Sequence, residues 1–234
     1  MKQMHKDTKV KRRELKYYIS YSEYKILAHK LKKVLNMDKH CKGKPYFIRS
    51  LYFDTFNDKS LFEKMAGIEK RKKYRIRTYD TKGSVIKFEI KNKTNNSILK
   101  ESAFITKEDA IQLQKGNLDI LLKYNNPILN KVYVEFKKYP YHPVVLIDYL
   151  REAYTYDINN IRITFDQLIK SRSSNIDLFG KDLYLRPFLR SSMVVLEIKY
   201  DHTIPLWIRQ LFQIPYFKRS AISKYALSRL TTGW

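Results

Sequence analysis

The sequence predicts an α+β fold in which a large, two-faced β-sheet curls or closes into a barrel. Three observations carry this. At least eight segments alternate apolar and charged side chains, as β-strands do. A single open sheet of that size tends to curl, split or close. Amphipathic stretches at 23–36, 106–115 and 205–230 carry apolar faces that need a surface to cover. Alternation does not say which sheet face is inside. Either the apolar faces fill the barrel, or the charges line a lumen and the helices cover an apolar outer wall.

Taken in order, residues 1–11 are polar and are expected to be a flexible segment, with one domain over 12–234. Arg12 to Ser20 reads as a strand with Glu14, Lys16 and Tyr18 on one face. Ser22 is placed as the cap of a helix over 23–36. A strand from Tyr46 to Asp54 follows Pro45, then a short helix over 60–66 stopped by Gly67. Residues 67–93 read as a hairpin turning at Lys82-Gly83. Arg71, Lys73, Arg75 and Arg77 share one face of its first strand; Ile86, Phe88 and Ile90 alternate with Lys87, Glu89, Lys91 and Lys93 in its second. Opposed like charges repel, so such a face costs stability unless anions occupy it.

Ser97 to Ile105, carrying Lys100, reads as a strand. Thr106 to Asp109 resembles a capping box, opening a helix that Gly116 ends. Residues 117–130 read as helical with a loop at 125–127. Lys131 to Lys138, Val144 to Tyr156, Ile161 to Asp166 and Met193 to Tyr200 all read as strands. Helices over 205–212 and 220–230 close the chain.

The net charge is +24, from 47 Lys and Arg against 23 Asp and Glu. Such a field attracts polyanions without choosing among nucleic acid, polyphosphate, nucleotides and anionic lipid. Aromatics at 14% exclude a disordered chain. Cys41 stands alone, which excludes an internal disulfide and a cysteine-based zinc site. No apolar run is long enough to span a membrane, and the basic start lacks the apolar core of a signal peptide. The histidines lack metal-ligand spacing, and no P-loop or GxGxxG is present.

Several segments resemble, in order, the catalytic VTC domain of the vacuolar transporter chaperone complex. This is the polyphosphate polymerase branch of the triphosphate tunnel metalloenzymes. The segments are RRELKYYIS, IRSLYFDT, GIEKRKKYRIRTY, KFEIKNK, ILKESAF, DYLREAY, NIRITFD, VLEIKY, LWIRQL and ISKY, over roughly residues 12–228. The resemblance implies an antiparallel β-barrel with a charged lumen and helices packed outside. It implies phosphate-binding roles for Lys16, Arg75, Arg77, Lys91, Arg151 and Arg162 at the reacting centre. Lys100, Ser223 and Lys224 are implied as further substrate contacts, and Glu197 as the ligand of a divalent Mn²⁺ or Mg²⁺. Asp54, His142 and Asp166 are read as structural.

The implied chemistry suits these residue types. Phosphoryl transfer needs positioning and charge neutralisation more than covalent help. Arginine offers planar bidentate contacts to phosphate oxygens, and lysine a point charge. A carboxylate is a suitable hard ligand for Mg²⁺ or Mn²⁺. The expected activity is metal-dependent transfer of the ATP γ-phosphoryl group to a growing polyphosphate chain, with ATP and polyphosphate or pyrophosphate as partners. A triphosphatase on the same fold and a non-catalytic polyanion binder are the alternatives, nucleic acid ranking last. Two departures from the family pattern stand out. Arg12 occupies the first acidic position of the ExExK run typical of the hydrolase and cyclase branches. Ala221 occupies a position where the family often carries lysine. The resemblance also implies a cytoplasmic protein, peripheral to the membrane if a separate membrane or regulatory chain recruits it.

Overall fold

The computed structural model describes residues 13–94, 97–212 and 219–232. The predicted flexible segment 1–11 and Arg12 lie outside the described residues. Among the described residues, ten strands and six α-helices follow in chain order: β1 (Arg13–Ser20), α1 (Tyr21–Val34), β2 (Asn36–Met37), β3 (Tyr46–Thr55), α2 (Lys59–Met65), β4 (Lys70–Thr78), β5 (Ile86–Thr94), β6 (Ser97–Phe104), α3 (Lys107–Gln114), α4 (Pro127–Lys138), β7 (Tyr141–Tyr156), β8 (Ile161–Arg172), β9 (Arg186–Pro187), β10 (Met193–Tyr200), α5 (Leu206–Leu211) and α6 (Lys224–Thr232).

One antiparallel sheet runs in the order β1-β10-β8-β7-β3-β4-β5-β6, with β2 on β7 and β9 on β8. Its outer face is apolar. Leu51, Phe53, Tyr74, Ile76, Phe88 and Ile90 pack with residues of α3, α4 and the 3₁₀ turn Asp119–Tyr124. Ile19, Ile163, Phe165, Leu196 and Ile198 pack under α1 and α5. The charged strand faces therefore turn inward, because these helices supply the apolar partner the outer wall needs.

The expectation of a closed barrel is corrected. The edge strands β1 and β6 do not pair with each other among the described residues. The curled sheet is completed by the chain before α6. Residue Arg219 bridges Tyr17, the Ser220 amide donates to the Lys16 carbonyl (3.0 Å), and Lys16 Nζ donates to the Ile222 carbonyl (3.2 Å). Across the gap, Glu14 of β1 meets Lys91 of β5 at 3.6 Å. The result is a tunnel, not a hydrogen-bonded cylinder. The chain at the start of α6 packs differently: Ile222, just before the helix, and Tyr225 on it join Ile48, Tyr52, Val145, Ile147, Tyr149 and Val195, a third apolar cluster, on the concave side of β3, β7 and β10.

Two local expectations also change. Residues 131–138 are helical, not a strand. Asn126 caps α4 by accepting from the Ile128 and Leu129 amides (2.9 and 3.4 Å), with Pro127 in the first turn. Val132 and Phe136, four apart, satisfy both the strand and the helix period. Val134, which a strand would bury beside them, is 65% exposed. Helix α1 is capped by Ser20, not Ser22: Ser20 Oγ accepts from the Glu23 amide and Glu23 accepts from the Ser20 amide, a reciprocal capping box. The β4–β5 turn is as read. Asp80 accepts from the Gly83 and Ser84 amides, and Gly83 adopts φ +82°, where a side chain would be strained.

Candidate active site in the tunnel

Period-two alternation and sheet register together assemble the site. On β4, Arg75 and Arg77 face inward, opposite Glu89 and Lys87 of β5; Tyr74 and Ile76 face out. Glu89, 1% exposed, is the hub of this wall. Arg75 donates to it from Nε (2.7 Å) and holds it again through Nη2 (2.6 Å), Lys100 of β6 meets it at 2.5 Å, and Arg77 lies 3.7 Å away. Burial alone would push the Glu89 carboxyl up, but Arg75, Arg77 and Lys100 hold it well below the carboxylate range. Arg75 also donates to Tyr52 Oη (2.9 Å). Arg77 donates to Ser50 Oγ (3.2 Å) and Tyr149 Oη (3.1 Å).

The facing wall repeats the pattern. Asp166 of β8 is fully buried and receives Arg151 in a bidentate pair (2.6 and 2.8 Å) and Lys224 at 2.5 Å. Burial raises the Asp166 carboxyl, yet Arg151 and Lys224 outweigh it and bring it down to about 2. Arg162 pairs with Asp38 and reaches Tyr46 Oη (3.4 Å). On β1 and β10, Lys16 lies 3.0 Å from Glu14 and 3.6 Å from Glu197, while Lys199 pairs with Glu197. Burial would lower the Lys16 ammonium, but Glu197 and Glu14 raise it above its ordinary value.

All the expected residues of the described wall, Lys16, Arg75, Arg77, Lys91, Lys100, Arg151, Arg162, Glu197 and Lys224, lie on inward strand positions or on α6 with ion pairs inside the tunnel. Ser223 joins them by accepting from Lys73 Nζ (2.9 Å). Sequence reasoning missed the counter-ions. Glu89 and Glu14 had alternation in their favour and were not singled out, and Asp166, read as structural, is a tunnel carboxylate. Lys73 shares the Arg75 face, but the motif resemblance assigns it no role.

The donor set limits any metal. Among the described residues no group of three His, Cys, Asp or Glu is placed to cage an ion. Glu14 and Glu197 share Lys16, and Glu14 Oε1 and Glu197 Oε1 are buried, each met by a lysine ammonium. Two carboxylates suit a hard divalent ion that completes its shell with water and substrate phosphate oxygens.

The sequence matches the model of the VTC domain over residues 11–232. The chain belongs to the VTC domain family. No curated protein matches it. Among solved structures it is similar to a Hippeastrum protein named as a candidate adenylyl cyclase and described as having a dominant triphosphatase activity, at 14% identity and TM-score 0.58, covering 94% of this chain and 95% of that one. It is also similar to a Vibrio parahaemolyticus protein named as a candidate adenylate cyclase, at 13% identity and TM-score 0.50, covering 92% and 96%. At these identities the likeness is one of fold, and this VTC chain shares the tunnel architecture. No helix among the described residues is long and apolar enough to cross a membrane.

Proposed function

We propose that this VTC domain is a polyphosphate polymerase that moves the γ-phosphoryl group of ATP onto a polyphosphate chain held in the tunnel. The supporting observation is the convergence of Lys16, Arg75, Arg77, Lys100, Arg151 and Lys224 on one concave surface, in place of a solvated outer face. Glu89, Asp166 and Glu197 are each shared by two or more cations, so the surface retains positive charge for an anionic ligand.

The terminal oxygen of the acceptor chain attacks the γ-phosphorus; the bond to the β-phosphate bridging oxygen breaks and ADP leaves. The attacking oxygen is already anionic, so no general base is needed. Arg75, Arg77 and Arg151 orient phosphate oxygens and neutralise charge as it redistributes. Glu197, with Glu14 beside it, would hold a divalent ion, which would supply Lewis-acid neutralisation of phosphate charge.

Incubation with ATP and Mn²⁺ is expected to yield ADP and a long acid-labile polymer. Glu197→Gln should lower metal-dependent turnover about a hundredfold, the equivalent of ~3 kcal/mol of lost charge stabilisation. Release of orthophosphate alone would overturn the polymerase reading in favour of a triphosphatase. That second reading draws on the activity described for the Hippeastrum protein of similar fold.

A further inference from the structure

Beyond the balanced centre, the β4–β5–β6 wall carries two successive rungs of cations, and neither rung includes a carboxylate. Lys73 stands opposite Lys91, and Lys91 opposite Lys100; two residues further along, Arg71 stands opposite Lys93. The rungs are ~7 Å apart, two residues of extended chain. Lys100 leans back to Glu89 and Lys91 reaches across to Glu14. Lys73 is left with Ser223 Oγ at 2.9 Å and the Tyr225 ring at 5.1 Å, and no ion pair to it is seen among the described residues. The carboxylates around it are engaged elsewhere: Glu89 by Arg75, and Asp54 by the Ser60 and Leu61 amides and Tyr225. Glu63 offsets Lys59 and Arg71.

Directly opposed like charges destabilise a sheet pair, and a desolvated lysine without a counter-ion costs more. The Lys73 ammonium is held well below its ordinary value by burial and then by Lys91, Lys64, Lys16 and Arg71. Helix α2, which carries Lys64, packs against β4, and the Lys64 ammonium is lowered by burial and then by Arg71, Lys93 and Lys16. A set of cations kept at this cost fits a stretch of wall that is occupied by anion when the protein works.

We propose that Lys73 and Lys64, with Arg71 and Lys93, form a phosphate subsite that carries a linear polyphosphate chain out past Lys91 and Lys100 under α2. The proposal rests on the tunnel being a phosphate-chain site, and it adds the ligand's length: the chain reaches beyond the phosphates held by Arg75 and Arg77.

The test is calorimetric binding of tripolyphosphate and of a longer linear polyphosphate, without nucleotide or turnover, to the wild-type chain and to Lys64→Ala/Lys73→Met. The wild type is expected to favour the longer chain, and the double variant to lose about tenfold more affinity for the longer chain than for tripolyphosphate, as loss of charge-assisted contacts predicts. Equal losses for both ligands, or none, would overturn the subsite. Lys73→Met alone should raise the melting temperature of the free protein, since it relieves buried like charge. If the double variant does not fold, Lys64→Ala on the face of α2 gives the same comparison. Length-dependent binding in a protein that makes only orthophosphate from ATP would keep the subsite and remove the polymerase reading. Failure of both phosphates to bind the wild type would overturn both.

Discussion

Glu89 is the shared counter-ion of Arg75, Arg77 and Lys100 and a like charge beside any phosphate they would bind, so replacing it should move stability and anion affinity in opposite directions. In Glu89→Gln the three cations keep their positions on β4 and β6 but lose their common counter-ion. Breaking a buried pair by removing one partner costs about 3–5 kcal/mol. For a chain of this size that lowers the melting temperature by roughly 6–15 °C. A phosphate bound at Arg75 would lie near Glu89. At a separation of ~6 Å and an effective dielectric of about 20, one unit of like charge costs ~3 kcal/mol. Part of that gain is returned, because glutamine holds the guanidinium groups less firmly. Tripolyphosphate should therefore bind Glu89→Gln at least about tenfold more tightly than wild type, and stabilise it more at equal ligand concentration. Differential scanning fluorimetry without ligand and titration calorimetry with tripolyphosphate read the two signs separately. Weaker or unchanged affinity in a folded variant would refute the idea that Glu89 opposes phosphate as a like charge.

Asp166 makes a pH-dependent contribution to stability. Its carboxyl falls from 3.8 to about 2, because Arg151 and Lys224 outweigh burial. The contribution, about 2.5 kcal/mol, is present above pH 4 and is lost as the pH falls toward 2. Asp166→Asn should be less stable at neutral pH and flatten this acid slope in urea unfolding; an unchanged slope would exclude Asp166 as its source. Lys100 is lowered to about 8, by burial against the opposing pull of Glu89. A bound phosphate favours the ammonium, so binding near pH 8 should take up protons and weaken as the pH rises. Titrations in buffers of different ionisation enthalpy measure the uptake, and Lys100→Met should reduce it by about half a proton. Equal uptake in the variant would place the titrating group elsewhere.

The cost of this site explains its composition. Arg75, Arg151 and Glu89 are buried ion pairs, which contribute little to stability by comparison with apolar packing. The apolar work is done on the outer wall by Tyr74, Ile76, Phe88 and Ile90 beneath α3 and α4. A strand can serve both ends because its two faces are independent.

The sequence by itself determined the strands, the two-faced hairpin and most of the helices, because these follow from local periodicity and capping. Ordered motif resemblance also pointed to cations that the structure brings onto one concave surface. The 131–138 segment escaped it because Val132 and Phe136 fit both periods, and only Val134, left in solvent, shows which one holds. Tertiary structure decided the rest. Which sheet face turns inward depends on where helices find apolar partners. Whether the barrel closes depends on how the Arg219–Ile222 segment meets β1. The pairing of Glu89 with Arg75, of Asp166 with Arg151 and of Lys73 with Ser223 depends on strand register and curvature, which bring together side chains 14, 15 and 150 positions apart. Alternation makes a cation point inward, but only the neighbouring strands decide whether it meets a counter-ion there.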